Sequence, residues 1–333
     1  MIIVISFAED PHAQRVIGEL HRRAREVFLM DVRDLPARAT LTIEQSGCCS
    51  PAIELRPSEG DAVDLTAARS VWWRRPQIAD TSAVTDVDAR IFAAGEWHEA
   101  VTGAWNLLTA AWMNPPSADE IASHKAYQLR VATEVGLRVP RTLMTSDPAR
   151  AREFIQARAL GQTVFKTFSC THQVWRETRP VRSDELLNLD TVRLAPVIFQ
   201  EYIAADRDVR VTVVGDQIFA AAINSADADY RYDFRMVLGQ AKVEAIDLPA
   251  RLAETIRRFM RRLGLIYGAI DLRRTPDGEY VFLEINTAGE FLFIEERTAL
   301  PITAALADWL TKPSVPSPAR AVAHHVGPRN ELS

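Results

Sequence analysis

One stretch, "YGAIDLRRTPDGEYVFLEIN" (Tyr267 to Asn286), constrains the fold more tightly than any other part of the chain. Two largely apolar runs flank Asp277-Gly278, a pair that favours a two-residue hairpin turn because glycine tolerates positive φ. A turn at that pair fixes the register and sets Asp271 directly across from Glu284. Residues two apart on a strand share a face, so Asn286 points the same way as Glu284. Two carboxylates and an amide oxygen therefore meet on one patch. Ionised carboxylates side by side repel, and without a cation one of them tends to keep its proton. Hard oxygen donors in this number suit Mg²⁺, which usually takes one or two carboxylates and completes its shell with water and phosphate. The alternative is a salt-bridged hairpin with Arg273 and Arg274 as partners.

The rest of the chain places this hairpin in an α/β protein. "MIIVISFA", "DPHAQRVIGELHRRA" and "EVFLMDV" read as strand, amphipathic helix and strand, the βαβ unit of a parallel sheet. That unit lacks G-x-G-x-x-G, the fingerprint of dinucleotide binding. A hairpin is expected around Gly47, a strand at "SVWWRRP", and a long helix carrying Trp97 and Trp105 on its apolar side. Pro115 and Pro116 stop the preceding element, and Ser117 with Glu120 fits a capping box opening one helix that runs to Gly136. A short helix, four strands and another helix then lead into the hairpin, and "ITAALADWL" closes the ordered part. Expected boundaries are 1–114, 115–195 and 196–312, with 313–333 a Pro- and Ala-rich mobile tail.

Composition narrows the function. The 333 residues are 47% hydrophobic and 25% charged, enough for two or three packed units, and the net charge is -5. No Lys/Arg block alternates with aromatics, so no nucleic-acid surface is expected. Three cysteines (Cys48, Cys49, Cys170) are too few for a disulfide framework or a thiolate zinc site. With no signal-peptide pattern and no apolar run of about 20 residues, a cytoplasmic protein without membrane association is expected.

A cation that prefers phosphate ligands directs attention to basic residues and a nucleotide slot. Lys166 lies in the apolar strand "TVFKTF", where an unpaired ammonium is costly; Lys125 reads as a mid-helix residue in "ASHKAYQ". Between "VIFQEYI" and "DVRVTVVG", a short polar linker offers backbone groups for an adenine edge. Glu201 suits the amine or ribose and Asp208 a hydroxyl. Arg210 is a fixed cation suited to phosphoryl or carboxylate groups. Arg74 and Arg75, at the end of the strand holding Trp72 and Trp73, read either as edge-strand charge or as positioners of an acidic peptide.

This order (helix lysine, strand lysine, Gln200-Glu201-Tyr202-Ile203 linker, Asp208-x-Arg210, then Asp271 and Glu284-x-Asn286) resembles the ATP-grasp superfamily from about Asn114 to Leu310. "SVWWRRP", "YRYDFR" and "FLEINTAGEFLFIEERTALPITAALADWL" narrow the resemblance to graspetide synthetases, the microviridin-type ligases that macrocyclise ribosomal precursor peptides. The resemblance implies an N-terminal βαβ pre-ATP-grasp domain followed by a two-lobed ATP-grasp fold with antiparallel sheets. It implies ATP and Mg²⁺ as cofactors, a precursor peptide with leader and acidic, Thr-rich core as partner, and a homodimer. Asp271, Glu284 and Asn286 would hold Mg²⁺, and Lys125 and Lys166 the phosphates. Gln200, Glu201, Tyr202 and Ile203 would line the adenine slot, with Asp208 at the ribose. Arg210 and Arg235 would neutralise the activated carboxylate, with Asp233 orienting an arginine or acting as base.

Two positions depart from the family: Thr287 stands where proline is common, and Glu290 where glutamine is. "TFSCTHQVWRE" after Lys166 has no glycine, leaving cover of the phosphates to His172 or backbone amides. Arg74, Arg75, Glu290 and His172 are thus the substrate-side candidates. Rival readings are a ligase joining amino acids or extending a protein tail, and a nucleotide-dependent peptide-binding protein without turnover.

Overall fold

The first strand is apolar without a break, and the reason is that both its faces are covered. In the computed structural model, which describes residues 1–47, 50–159, 161–168, 177–224, 232, 236, 239 and 241–313, β1 (Ile2–Ile5) leads through α1 (Pro11–Arg22) to β2 (Val27–Met30). A hairpin of β3 (Ala39–Glu44) and β4 (Ala52–Pro57), with the short β5 (Val63–Asp64), forms a three-stranded sheet of its own. Then come β6 (Ser70–Trp73), α2 (Val87–Leu107) and β7 (Ala111–Met113). Strands β2, β1, β6 and β7 pair in parallel, as the βαβ reading requires. Ile2, Val4 and Trp72 pack on α1, whereas Ile3, Ile5 and Val71 pack on the far side with Val101, Ala104 and Trp105 of α2.

The single helix expected after the two prolines is two. α3 (Pro116–Ser123) begins with Pro116 at its first position and has no side-chain cap, so the Ser117–Glu120 box does not form. His124 is extended (φ -76°, ψ 109°), and α4 (Lys125–Glu134) starts afresh. Lys125 is thus the first residue of a helix, not a mid-helix lysine.

Next, β8 (Thr142–Thr145), α5 (Pro148–Gln156), β9 (Thr163–Lys166), β10 (Arg179–Pro180), a 3₁₀ helix (Asp184–Arg193) and β11 (Val197–Glu201) build an antiparallel sheet ordered β10-β9-β11-β8. The last sheet contains β12 (Arg207–Val214), β13 (Gln217–Asn224), β14 (Lys242–Ile246), β15 (Tyr267–Arg274) and β16 (Tyr280–Asn286), ordered β14-β13-β12-β15-β16. α6 (Ala250–Leu263) covers its apolar face with Ile256, Phe259 and Met260, and ends at Gly264 in the left-handed region. α7 (Leu292–Thr298), which the sequence did not disclose, and α8 (Ile302–Thr311) return to α1 and the N-terminal sheet. His172, Asp233, Arg235, all three cysteines and residues 314–333 of the expected tail lie outside the described residues. Among the described residues no helix is long and apolar enough to cross a membrane.

A buried polar joint ties the first sheet to the last. Arg74, fully enclosed, pairs with Asp10 (Nε–Oδ2 3.0 Å) and donates to the carbonyls of Ala288 (2.5 Å) and Gly289 (3.1 Å). Both readings of Arg74 are therefore corrected: β6 lies inside its sheet, and no part of this side chain reaches solvent to serve as edge charge or to meet an acidic peptide. Burial would raise the pKa of Asp10, but the Arg74 charge and the Ser6 hydroxyl more than offset it and hold the carboxyl below its usual range. His12 packs edge-on to Phe291, with ring centroids 4.8 Å apart. Burial, helped by Arg74 and Arg75 and opposed by Asp10 and Glu290, pushes its pKa down from 6.5 to about 4. The unfolded chain therefore binds one more proton than the folded one between these values. Stability is present in full above pH 6.5 and declines as the pH falls toward 4. Denaturant titrations across this window should show a loss of up to about 3 kcal/mol that His12→Leu removes; equal slopes in both proteins would refute the assignment.

Candidate active site

The last sheet has one apolar face, while the other is apolar at Val214, Phe219, Ala221 and Ile223 and charged across β12, β15 and β16. Val209, Val211, Val213, Ile270, Leu272 and Ile285 join the core under α6. The intervening side chains look the other way, and register lines them up across three strands: Arg210 opposite Asp271, and Asp271 opposite Glu284. The expected carboxylate pairing is present, although the turn differs. Thr275 N–H donates to the Glu279 carbonyl and Gly278 N–H to the Thr275 carbonyl, both at 2.8 Å, so the loop holds three residues rather than two. Gly278 takes the positive φ (88°). One extra residue on β16, Leu283, forms a bulge between the Asp271–Glu284 and Leu272–Phe282 pairs and restores the register.

Cations from separate elements close on the two acids. Arg210 Nη1 lies 2.6 Å from Asp271 Oδ1, and its Nη2 donates to the Glu290 carbonyl at 3.2 Å. Burial disfavours the Arg210 charge, yet Asp271 outweighs it and the guanidinium pKa is raised. Lys125, from the start of α4, forms an ion pair with Glu284. Lys166, at the end of β9, has its pKa lowered by burial, with Glu284 opposing and Lys125 reinforcing the shift. Lys125, Lys166, Arg210, Asp271 and Glu284 thus share one locale. Asn286 stands two residues beyond Glu284 on the same face, and its Oδ1 accepts from the Ala288 N–H at 3.0 Å.

The end of β11 and the linker after it, Gln200 to Ile203, have four groups engaged. Gln200, 3% exposed, donates to Thr142 Oγ1 (3.0 Å), and Glu201 accepts from the Arg141 N–H (3.2 Å). Tyr202 N–H donates to the Gln162 carbonyl (2.9 Å), and the Ile203 carbonyl accepts from Arg273 Nη1 (2.8 Å). Arg273 also lies over the Tyr202 ring at 5.1 Å and pairs with Asp208 at 3.0 Å. Asp208, expected at a ribose, is instead nearly enclosed as the partner of Arg273. The structure therefore brings together Lys125, Lys166, Arg210, Asp271, Glu284 and Asn286.

Three residues that sequence reading missed hold the frame. Asn114, wholly buried, accepts from the N–H groups of Ile266 and Tyr267 (2.8 Å each) and donates to the Tyr267 carbonyl (2.9 Å). Gln128 donates to the Ile285 carbonyl (3.0 Å) and accepts its N–H (3.1 Å), closing the outer edge of β16. Gly289 sits so close that an added Cβ would stand 2.2 Å from Ala269 Cβ and 3.2 Å from Arg210 Nη2. A polar residue inside an apolar run (Asn114) or on an apolar helix stripe (Gln128) was the available signal.

A model of the RimK-like ATP-grasp domain matches residues 122–310, more than half of the chain. The chain belongs to the RimK-like ATP-grasp family. A curated relative, "Probable alpha-L-glutamate ligase" of Citrobacter koseri, is 25% identical over 256 residues, covering 75% of this chain and 83% of the relative. The macrocyclase MdnC of Microcystis aeruginosa MRC, solved with its precursor peptide MdnA, superposes with a TM-score of 0.82 and 28% identity. That match covers 93% of this chain and 99% of MdnC. The ATP-grasp ligase PsnB, solved with minimal precursor, Mg and ADP, gives 0.76 and 25%, covering 93% and 96%. ATP-grasp members are ADP-forming carboxylate ligases that use ATP and Mg²⁺.

The residues fit the metal. Among the described residues no three His, Cys, Asp or Glu side chains gather as a metal site. Mg²⁺ bound with a nucleotide needs fewer carboxylates, and two facing acids with an amide oxygen on the same face meet that need. Gly289→Ala forces overlap beside Ala269 and Arg210. It should lower the melting temperature by several degrees and weaken the stabilisation by ADP with Mg²⁺. Gly103, whose added Cβ meets nothing within 4 Å, provides the control; equal melting curves for the two variants would contradict the close-packing account.

Proposed function

We propose that this ATP-grasp ligase is a peptide macrocyclase that activates Asp or Glu side chains of a ribosomal precursor and closes ω-ester or ω-amide rings. The observation that carries this reading is the Arg210–Asp271–Glu284 row with Lys125 and Lys166 converging on it. Nearly full-length likeness to ligases solved with precursor peptides supports it.

In this reading a substrate carboxylate oxygen attacks the γ-phosphorus of ATP and the bond to ADP breaks, giving an acyl phosphate. A Ser or Thr hydroxyl, or a Lys amine, of the same peptide then attacks the acyl carbon. Phosphate departs with the bonding electrons, and the nucleophile's proton passes to a base. Phosphoryl transfer needs positioning and charge neutralisation more than covalent help. Lys125 and Lys166 hold phosphate oxygens, and Arg210 faces the carboxylate being activated. Asp271, Glu284 and Asn286 would hold Mg²⁺, which supplies neutralisation of phosphate charge when bound. The linker at Glu201, Tyr202 and Ile203 frames the adenine. Asp233 as base and Arg235 as second arginine complete the proposal, as do a cytoplasmic location, a leader-bearing acidic precursor and a homodimer.

A second reading, addition of glutamate to an acceptor, has the Citrobacter koseri relative in its favour. Intact-mass spectrometry separates the two, using a short Thr/Asp/Glu-rich peptide with ATP and Mg²⁺. Macrocyclisation removes one water per ring, and Glu284→Gln should slow it at least about 100-fold. A gain of one glutamate residue would establish the second reading. Unchanged peptide without ADP release would leave a peptide-binding protein without turnover.

A further inference from the structure

Adjacent arginines at the end of β6 have opposite fates. Arg74 is enclosed with Asp10, both fully buried, and that pair cannot open without stranding a charge. Arg75 reaches outward instead. Its Nη2 is 3.0 Å from Glu290 Oε1, and the side chains are 26% and 59% exposed. Glu290 belongs to the loop that touches the site: its backbone carbonyl accepts from Arg210 Nη2, whose Nη1 holds Asp271. A carboxylate of the protein itself therefore stands on a partly exposed cation, on the same residue whose backbone carbonyl accepts from Arg210. Burial alone would raise the Glu290 pKa, but the hydrogen bond and charge of Arg75 outweigh it and hold the carboxyl below its usual range.

We propose that Glu290 is an internal placeholder for the substrate carboxylate. It occupies Arg75 in the free enzyme and yields that arginine to an Asp or Glu side chain of the arriving peptide. The inference rests on the peptide-carboxylate reading above and adds a specificity device to it. The exchange is non-covalent and conserves charge at Arg75, with one carboxylate replacing another. Its cost is small, because a partly exposed single-contact ion pair contributes little net stability. A neutral Asn or Gln side chain has no charge with which to replace Glu290, so it is refused at the same arginine. Glutamate at this position, where the resembling family commonly has glutamine, makes the threshold a property of this chain.

Calorimetric titration of the full-length protein with ADP and Mg²⁺ present provides the test. The probes are acetyl-Thr-Glu-Thr-Asp-amide and its neutral counterpart acetyl-Thr-Gln-Thr-Asn-amide. Glu290→Gln should bind the acidic probe about two- to fivefold more tightly, the worth of one such ion pair. Arg75→Met should bind it more weakly, and adding Glu290→Gln to Arg75→Met should bring no further gain. An unchanged or weakened affinity in Glu290→Gln overturns the proposal, as does a gain that survives in the Arg75→Met background. If no variant prefers the acidic probe to the neutral one, the peptide-carboxylate reading itself fails. That outcome is distinct from a preference whose order among the variants is wrong.

Discussion

Two carboxylates held face to face on adjacent strands are the constraint around which this molecule is arranged. Like charges opposite each other in an antiparallel pair are destabilising on their own. Asp271 and Glu284 are tolerated because Arg210 and Lys125 each pair with one of them, while Lys166 lies in the field of both. The cations come from a neighbouring strand, a helix start and a separate sheet. Neutralisation is therefore a tertiary property, and the acids are matched only when the lobes are assembled. The same arrangement suits a polyanionic nucleotide, since positive groups already surround the two acids.

Keeping the pair in register falls to polar side chains that imitate backbone. Asn114 and Gln128 each offer a donor and an acceptor to a strand, at the head of β15 and on the outer edge of β16 respectively. Further along β16, the Phe282 N–H is taken by the Arg138 carbonyl at 2.8 Å. An edge strand is ordinarily open to slippage or to pairing with another chain. Here that edge is engaged at Phe282 and Ile285, and a slip by one residue would turn Glu284 and Asn286 into the core.

Much of this was legible in the sequence because it is local. Strand alternation and the Asp-Gly turn disclosed the hairpin, and the carboxylate pairing followed. It followed despite a turn one residue too short, because the bulge at Leu283 compensates and no pattern in the sequence announces a bulge. The break at His124 was hidden for a related reason. Helical periodicity persists through it, and only contact with the rest of the protein shows that Lys125 begins a helix. Buried ion pairs were the least legible. In sequence Arg74 reads as edge-strand charge or a peptide contact and Asp208 as a ribose contact, and their partners, Asp10 and Arg273, lie 64 and 65 residues away.

Arg74 carries a consequence for modularity. Its guanidinium joins Asp10, at the start of the first helix, to the carbonyls of Ala288 and Gly289 just after the last strand. The N-terminal unit is thus an inseparable wall of the C-terminal lobe. A chimera that exchanges this unit for another protein's must carry the acid, the arginine and the receiving loop together. Otherwise it inherits an unmatched buried charge at the seam.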